Sequence, residues 1–179
     1  LWMTLFLFSV GLFIYAIPAR YSQLKTLSAY PDTRVGQLTP ADVLTLSEMG
    51  ISPEFYAAYF ASFEILAALP FIIVASIIFL RKSDDWVALL VSITGILIGT
   101  MAIPVVNSLS GSSLALAAII RTLRVTGMTM LVITFFVFPD GFFIPTWSRW
   151  MALIWVIFGL SSILLPQLAP PPGIARVQV

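Results

Sequence analysis

Glu64, Arg121 and Arg124 are the charged residues set inside segments otherwise apolar enough to cross a lipid bilayer. A charge in hydrocarbon is expensive unless it is paired or hydrated, so each must face protein, water or a ligand. Counting back from the helix ends on one side, Leu80 to Glu64 is sixteen steps and Phe138 to Arg121 seventeen, about 24 and 25 Å at 1.5 Å per residue. That places Glu64 and Arg121 at nearly one level, with Arg124 one turn deeper on nearly the same face as Arg121. An ion pair between Glu64 and Arg121 or Arg124, locking the second span against the fourth, is the economical arrangement. Two alternatives stand beside it: an anion- or ligand-responsive site that uses the spare arginine, and snorkelling of an arginine to the headgroups.

No catalytic constellation accompanies these charges. The chain has no His and no Cys, which excludes Ser–His nucleophiles, His-ligated haem or zinc, and thiol chemistry. Asp84 and Asp85, beside Arg81 and Lys82, read as solvated interfacial charges rather than paired catalytic carboxylates. No phosphate loop or metal spacing is present, so neither a cofactor nor a metal is expected. Formal net charge is +1, too little to mark a nucleic-acid partner.

The remaining special residues concern how helices pack. Pro70 lies a turn and a half from Glu64 and releases the carbonyl of Leu66, so a kink is expected there. Gly95 and Gly99 form a GxxxG step flanked by Thr94 and Thr100. Small residues at that spacing let two backbones approach, either within this chain or across a homodimer, with the first favoured. Gly127, with Thr126 and Thr129, is a candidate complementary surface.

The elements that must position these residues follow from composition. Of 179 residues, 60% are hydrophobic and only 9% charged, and mean hydropathy is +1.04. A soluble domain carries about a quarter charged residues; helices facing lipid are apolar on all sides. Five segments can span about 30 Å of hydrocarbon, which takes about 20 helical residues. They are residues 1–17, stopped at Pro18, then 53–80, 86–103, stopped at Pro104, 112–138 and 147–165. Residues 19–52 form the one sizeable polar stretch, and a Pro-rich tail covers 166–179. Within the loop, Thr39-Pro40-Ala41-Asp42 is a helix start and Gly50 a stop. Val43, Leu44, Leu46 and Met49 make that helix amphipathic, lying on the membrane or across the bundle mouth, with a packed loop helix favoured over a ligand-binding lid. Leu1 is not an initiator Met, which points to a fragment or a processed form, and the first span reads as an anchor rather than a signal peptide.

Loop charge does not orient the chain by itself. Arg81, Lys82 and Arg149 on one side face Arg20, Lys25, Arg34 and Arg176 on the other. The compact Arg81-Lys82 pair favours its own side as cytoplasmic.

Two stretches carry a resemblance. FVFPDGFFIPTWSRW, from Phe136 to Trp150, resembles the FPDGRFVPRWTRW type of junction in multi-pass membrane regions of bacterial sensor histidine kinases. FYAAYFASFEILAALPFIIVASIIFLRKSDDWVALLVS, from Phe55 to Ser92, resembles the preceding span pair, including its glutamate, its basic pair and its aspartate-tryptophan step. The chain departs from that pattern at Phe142 and Thr146, where the family usually places basic residues. The resemblance implies a sensing region in the bacterial inner (cytoplasmic) membrane, N-terminus inside, with a kinase domain further along the same chain. The kinase motifs are absent from these residues.

The expectation is therefore an all-α polytopic bundle of about five spans, a single membrane domain. Its expected role is the non-catalytic input region of a bacterial signalling protein, with the lipid bilayer as partner and a homodimer as an open possibility. The alternative is a structural or accessory subunit of a larger membrane complex, held by the GxxxG face and polar seams. A transporter has little support without an inverted repeat.

Overall fold

Side chains that cannot bury a stripe against water-facing neighbours fold here into long apolar helices with small residues at the seams. The computed structural model describes residues 2–28, 35–139, 141–143 and 145–164. Its helices are α1 (Trp2–Lys25), α2 (Pro40–Glu48), α3 (Pro53–Lys82), α4 (Trp86–Leu97), α5 (Leu114–Val137) and α6 (Ser148–Leu164). Between α4 and α5 lie a π-helical turn, Ile98–Ala102, and a 3-10 segment, Pro104–Gly111. The protein is an all-α membrane helix bundle, with no strand among the described residues. α1, α3 and α5 are each long and apolar enough to cross a membrane, and Trp86–Ala102 with Pro104–Gly111, bent by 59°, makes a fourth candidate when the two are counted as one broken span. The expected fifth span corresponds to α6, an apolar helix of 17 residues that is shorter than a full crossing within the described residues.

Caps legible in the sequence start these helices. The Thr39 hydroxyl accepts from the Asp42 amide at 3.3 Å while the Asp42 carboxylate accepts from the Thr39 amide at 2.8 Å, a reciprocal capping box. The Thr39 hydroxyl, 2.7 Å from the same carboxylate, and then the Thr39 amide hold the exposed Asp42 carboxyl below its usual range. Ser52 caps α3 through the Phe55 amide, and Ser113 caps α5 through the Leu116 amide. Asp85 accepts from the Val87 and Ala88 amides, so it is the cap of α4 rather than a free interfacial charge. Gly50, with φ of 71°, takes the left-handed conformation just past α2. α2 buries none of its residues. Leu44 and Met49 stay exposed while Val43 and Leu46 are half-buried, so the apolar face of α2 is only partly packed against the protein.

Two boundaries differ from expectation. α1 does not stop at Pro18 but runs through it to Lys25. Proline inside a spanning helix is tolerated when neighbours hold the following turn. Here Leu24 is fully buried against Ala57 and Ala61 of α3, and Arg20 is anchored to the same helix. The third span does lose regular helix before Pro104, but it does not give way to a simple loop. Ile103 is extended (φ −73°, ψ 140°), as the steric demand of a following proline requires, and the chain re-enters a helical turn at a bend of 59°. The 3-10 segment then packs between α1 and α5.

The core sits around that break. Phe13 and Ala16 of α1, Ala68 of α3, Leu97, Met101, Val105, Val106 and Leu109 around the bend, and Ile120 of α5 form one buried cluster. A second cluster lies toward the other end, where Trp2 stacks on Phe79 at 3.7 Å and packs with Ala75 and Ile96. α3 is one continuous helix through Pro70, and the 59° break lies in the third span. The expected Pro139-Asp140-Gly141 turn lies partly outside the described residues, as does the polar stretch 19–52, of which 29–34 are not described. The tail at 166–179 lies wholly outside them.

Candidate functional site

The buried charges are organised by α1 and by the break, not by a pairing of α3 with α5. Glu64 does not pair with Arg121 or Arg124: its partner is Arg20. Arg20 Nε donates to Glu64 Oε2 at 3.0 Å and Nη2 donates to Oε1 at 2.6 Å, the fork geometry that suits guanidinium and carboxylate. Only 2% of Arg20 and 7% of Glu64 are exposed, so this ion pair is held inside the protein. Arg20 also donates through Nη1 to Gln23 Oε1 at 3.1 Å and through Nη2 to the Val35 carbonyl at 2.9 Å. The guanidinium thereby ties α1, α3 and the start of the segment leading to α2 into one knot.

That segment is pinned from several directions. Tyr56 donates its hydroxyl to the Gly36 carbonyl at 3.0 Å, and the Ser28 amide donates to the Leu38 carbonyl at 3.0 Å. Leu38 is buried. Gly36 has φ of 75°, and a Cβ there would sit 3.3 Å from Leu24 and 3.4 Å from Arg20 Nη2. The position thus needs glycine for backbone reasons and for close approach. By contrast, Lys25 and Glu54 at 3.7 Å are exposed and bind little.

Counting depth from a first span that ends at Pro18 leaves Arg20 out. With α1 cut at residue 17, Arg20 counts as a loop charge. Once the helix continues, it becomes the cation facing α3 at the level of Glu64. The two readings differ only in whether tertiary packing overrides a proline.

Arg124 serves the break. Its Nε donates to the Met101 carbonyl at 2.9 Å, and its Nη2 donates to Asn107 Oδ1. Met101 lies in the last turn before the break, where carbonyls have no amide ahead of them to accept from. Asn107 lies on the far side of Pro104. One side chain of α5 therefore bridges both halves of a broken span and places a cation at the negative end of the first half. Arg121, half-buried on the same helix, has no hydrogen bond or ion pair among the described residues.

The small-residue faces are used within the chain. A Cβ on Gly99 would lie 2.6 Å from Phe71 Cβ and 3.3 Å from the Ala68 carbonyl, and one on Gly95 would lie 3.2 Å from Ala75 Cβ. The GxxxG step is thus the α3 contact, leaving that face no room for a second copy. Gly127 is not its complement: a Cβ there would come 2.8 Å from Leu97 Cβ, on another side of α4. Gly159, which the sequence reading did not single out, plays the same part between α6 and α5, against Thr129 and Val125. Polar seams reinforce these contacts. Trp2 Nε1 donates to Ser92 Oγ at 2.8 Å, and Ser92 donates on to the Ala75 carbonyl at 2.7 Å.

An apolar groove of about 360 Å³ runs between α3, α4 and α5, lined by Pro70, Phe71, Ala75, Thr94, Gly95 and Thr134. The Thr94 and Thr134 hydroxyls lie 3.3 Å apart, so the wall offers a hydrocarbon occupant shape and almost no polarity. At the end of the bundle beyond this groove, Trp86 of the aspartate-tryptophan step lies against Gly141 of the FPDG junction, where a Cβ would be 3.1 Å from the indole. The two motifs that carried the family resemblance thus meet in one corner. Beyond these contacts, comparison with known proteins adds no assignment, since no family model, curated protein or solved structure matches the chain.

Proposed function

We propose that the chain is the membrane-embedded, non-catalytic input region of a bacterial signalling protein of the sensor histidine kinase type, set in the cytoplasmic membrane. The observation that carries the reading is the broken third span. Ala102 and Pro104 belong to helical segments at 59° to one another, and among the described residues Arg124 is the one side chain that hydrogen-bonds to both. A switch needs an element with two discrete arrangements whose balance a local contact can bias. A break bridged by one side chain meets that need better than any continuous helix in the bundle. The Trp86–Gly141 corner, next to the spans that lead onward in the sequence, supports the same reading.

The test is made on the full-length gene product in nanodiscs. ATP-dependent autophosphorylation is measured for wild type and Arg124→Gln, a change that removes the charge and most of the fork. A shift of about fivefold or more in basal rate is expected, the size of an ordinary coupling free energy between sites. A full-length protein that ends at residue 179, or carries no ATP-dependent activity, would replace this reading with the accessory-subunit one. Unchanged activity in Arg124→Gln would remove the break from the switch.

Orientation is the companion expectation. Under the family resemblance, the 83–85 turn faces the cytoplasm and residues 19–52 face outward. Ser28→Cys is expected to react with an impermeant thiol reagent in intact cells and Ser83→Cys only after lysis. The reverse pattern overturns the orientation.

A further inference from the structure

α5 carries two positive charges into the membrane and only part of their surroundings is accounted for. Arg121 and Arg124 lie seven and ten residues beyond Leu114, about 10 and 15 Å along a helix of 1.5 Å rise. Spaced i, i+3, they are side-by-side neighbours on the helix surface. The ion pairs among the described residues are Arg20 with Glu64 and Lys25 with Glu54, so neither α5 arginine has a carboxylate. Bonds to the Met101 carbonyl and Asn107 satisfy two of Arg124's donors but neutralise no charge. Arg121 uses none of its donors on the described protein. Both side chains are half-buried rather than sealed. A doubly cationic site at this depth calls for an anion.

We propose that Arg121 and Arg124 bind the phosphate of an anionic phospholipid. The chemistry is that of a planar guanidinium fork on phosphate oxygens. Arg124 is fixed by the break, while Arg121 lies near enough to the start of α5 to reach the phosphate level of the adjacent leaflet. The acyl chains then follow the exposed apolar faces that the bundle presents to lipid. A zwitterionic lipid offers the same phosphate but brings its own ammonium group to the two arginines, so an anionic headgroup is preferred. This site stands independently of the signalling role, because binding and not signal output reads it.

The protein is purified in neutral detergent and titrated, under native mass spectrometry, with phosphatidylglycerol, with phosphatidylcholine of the same acyl chains, and with inorganic phosphate alone. Wild type is expected to bind phosphatidylglycerol about tenfold more tightly than phosphatidylcholine, the scale of one charge-assisted bond. Arg121→Gln is expected to remove most of that preference, Arg121→Lys to keep part of it, and Arg149→Gln, at the start of α6, to leave it unchanged. Arg121 does not hold the break, so its loss leaves the Arg124 bridge in place. Equal binding of the two lipids by wild type overturns the proposal. So does a preference that survives Arg121→Gln or vanishes in Arg149→Gln. Saturable binding of inorganic phosphate that depends on Arg121, without any lipid preference, overturns the lipid assignment in favour of a soluble phosphate.

Discussion

Replacing Arg20 with Met is expected to destabilise the protein by about 3–5 kcal/mol, the usual cost of removing one member of a buried ion pair. The variant leaves Glu64 without its two guanidinium donors and the Val35 carbonyl without its Nη2 bond. The loss should therefore appear in two readouts: lower resistance to unfolding in mixed micelles, and faster proteolysis between residues 26 and 39. Glu64→Gln is expected to cost less, because an amide oxygen still accepts from the guanidinium. Arg20→Met combined with Glu64→Met should recover most of the unfolding loss, since a well-packed apolar pair removes both desolvation penalties. Proteolysis of the loop should stay fast in the double variant, because the tie to Val35 is still missing. Wild-type stability in Arg20→Met would mean that the pair contributes nothing to the fold.

The second large effect is a graded one across the glycines. Gly99→Ala is expected to cost about 1–3 kcal/mol, the range for forcing a methyl group into a filled seam, since its Cβ would meet Phe71 Cβ at 2.6 Å. Gly127→Ala, at 2.8 Å from Leu97 Cβ, should follow, and Gly95→Ala, at 3.2 Å from Ala75 Cβ, should cost least of the three. Gly11 has nothing within 4 Å, so Gly11→Ala should be neutral or gain up to about 1 kcal/mol from helix propensity. Unfolding the four variants side by side in bicelles checks the order. If Gly99→Ala and Gly11→Ala proved equally stable, the close approach of α3 to the π-helical turn at Gly99 would be wrong.

The parts of this bundle that local chemistry decides were legible in the sequence. Thr39, Ser52 and Gly50 mark helix ends through bonds and dihedrals that depend on a few neighbouring residues. The all-α membrane class follows from apolar length, and the closeness of Gly95 and Gly99 to another helix follows from their missing side chains. What escaped the sequence is set by tertiary contacts. Pro18 looks like a stop until Leu24 and Arg20 are seen to hold the next turn on α3. Depth along α3 and α5 alone, with the first span ending at Pro18, points to a cation on α5 opposite Glu64. Gly127 was matched to the GxxxG face because small residues carry no mark of which neighbour they meet. The 3-10 segment after Pro104 reads as a loop because its helical turn is held by packing between α1 and α5 and by Arg124.

The most direct test of this account is a set of double-mutant cycles in bicelles between Glu64→Met and each of Arg20→Met, Arg121→Met and Arg124→Met. Residues that share a buried hydrogen-bonded pair couple by about 0.5–3 kcal/mol, whereas residues without a shared partner add independently. The structure requires coupling at the upper part of that range for Glu64 with Arg20, and none beyond error with Arg121 or Arg124. Coupling of Glu64 to either α5 arginine, with Arg20 additive, would contradict the placement of α1 and of the bundle built around it.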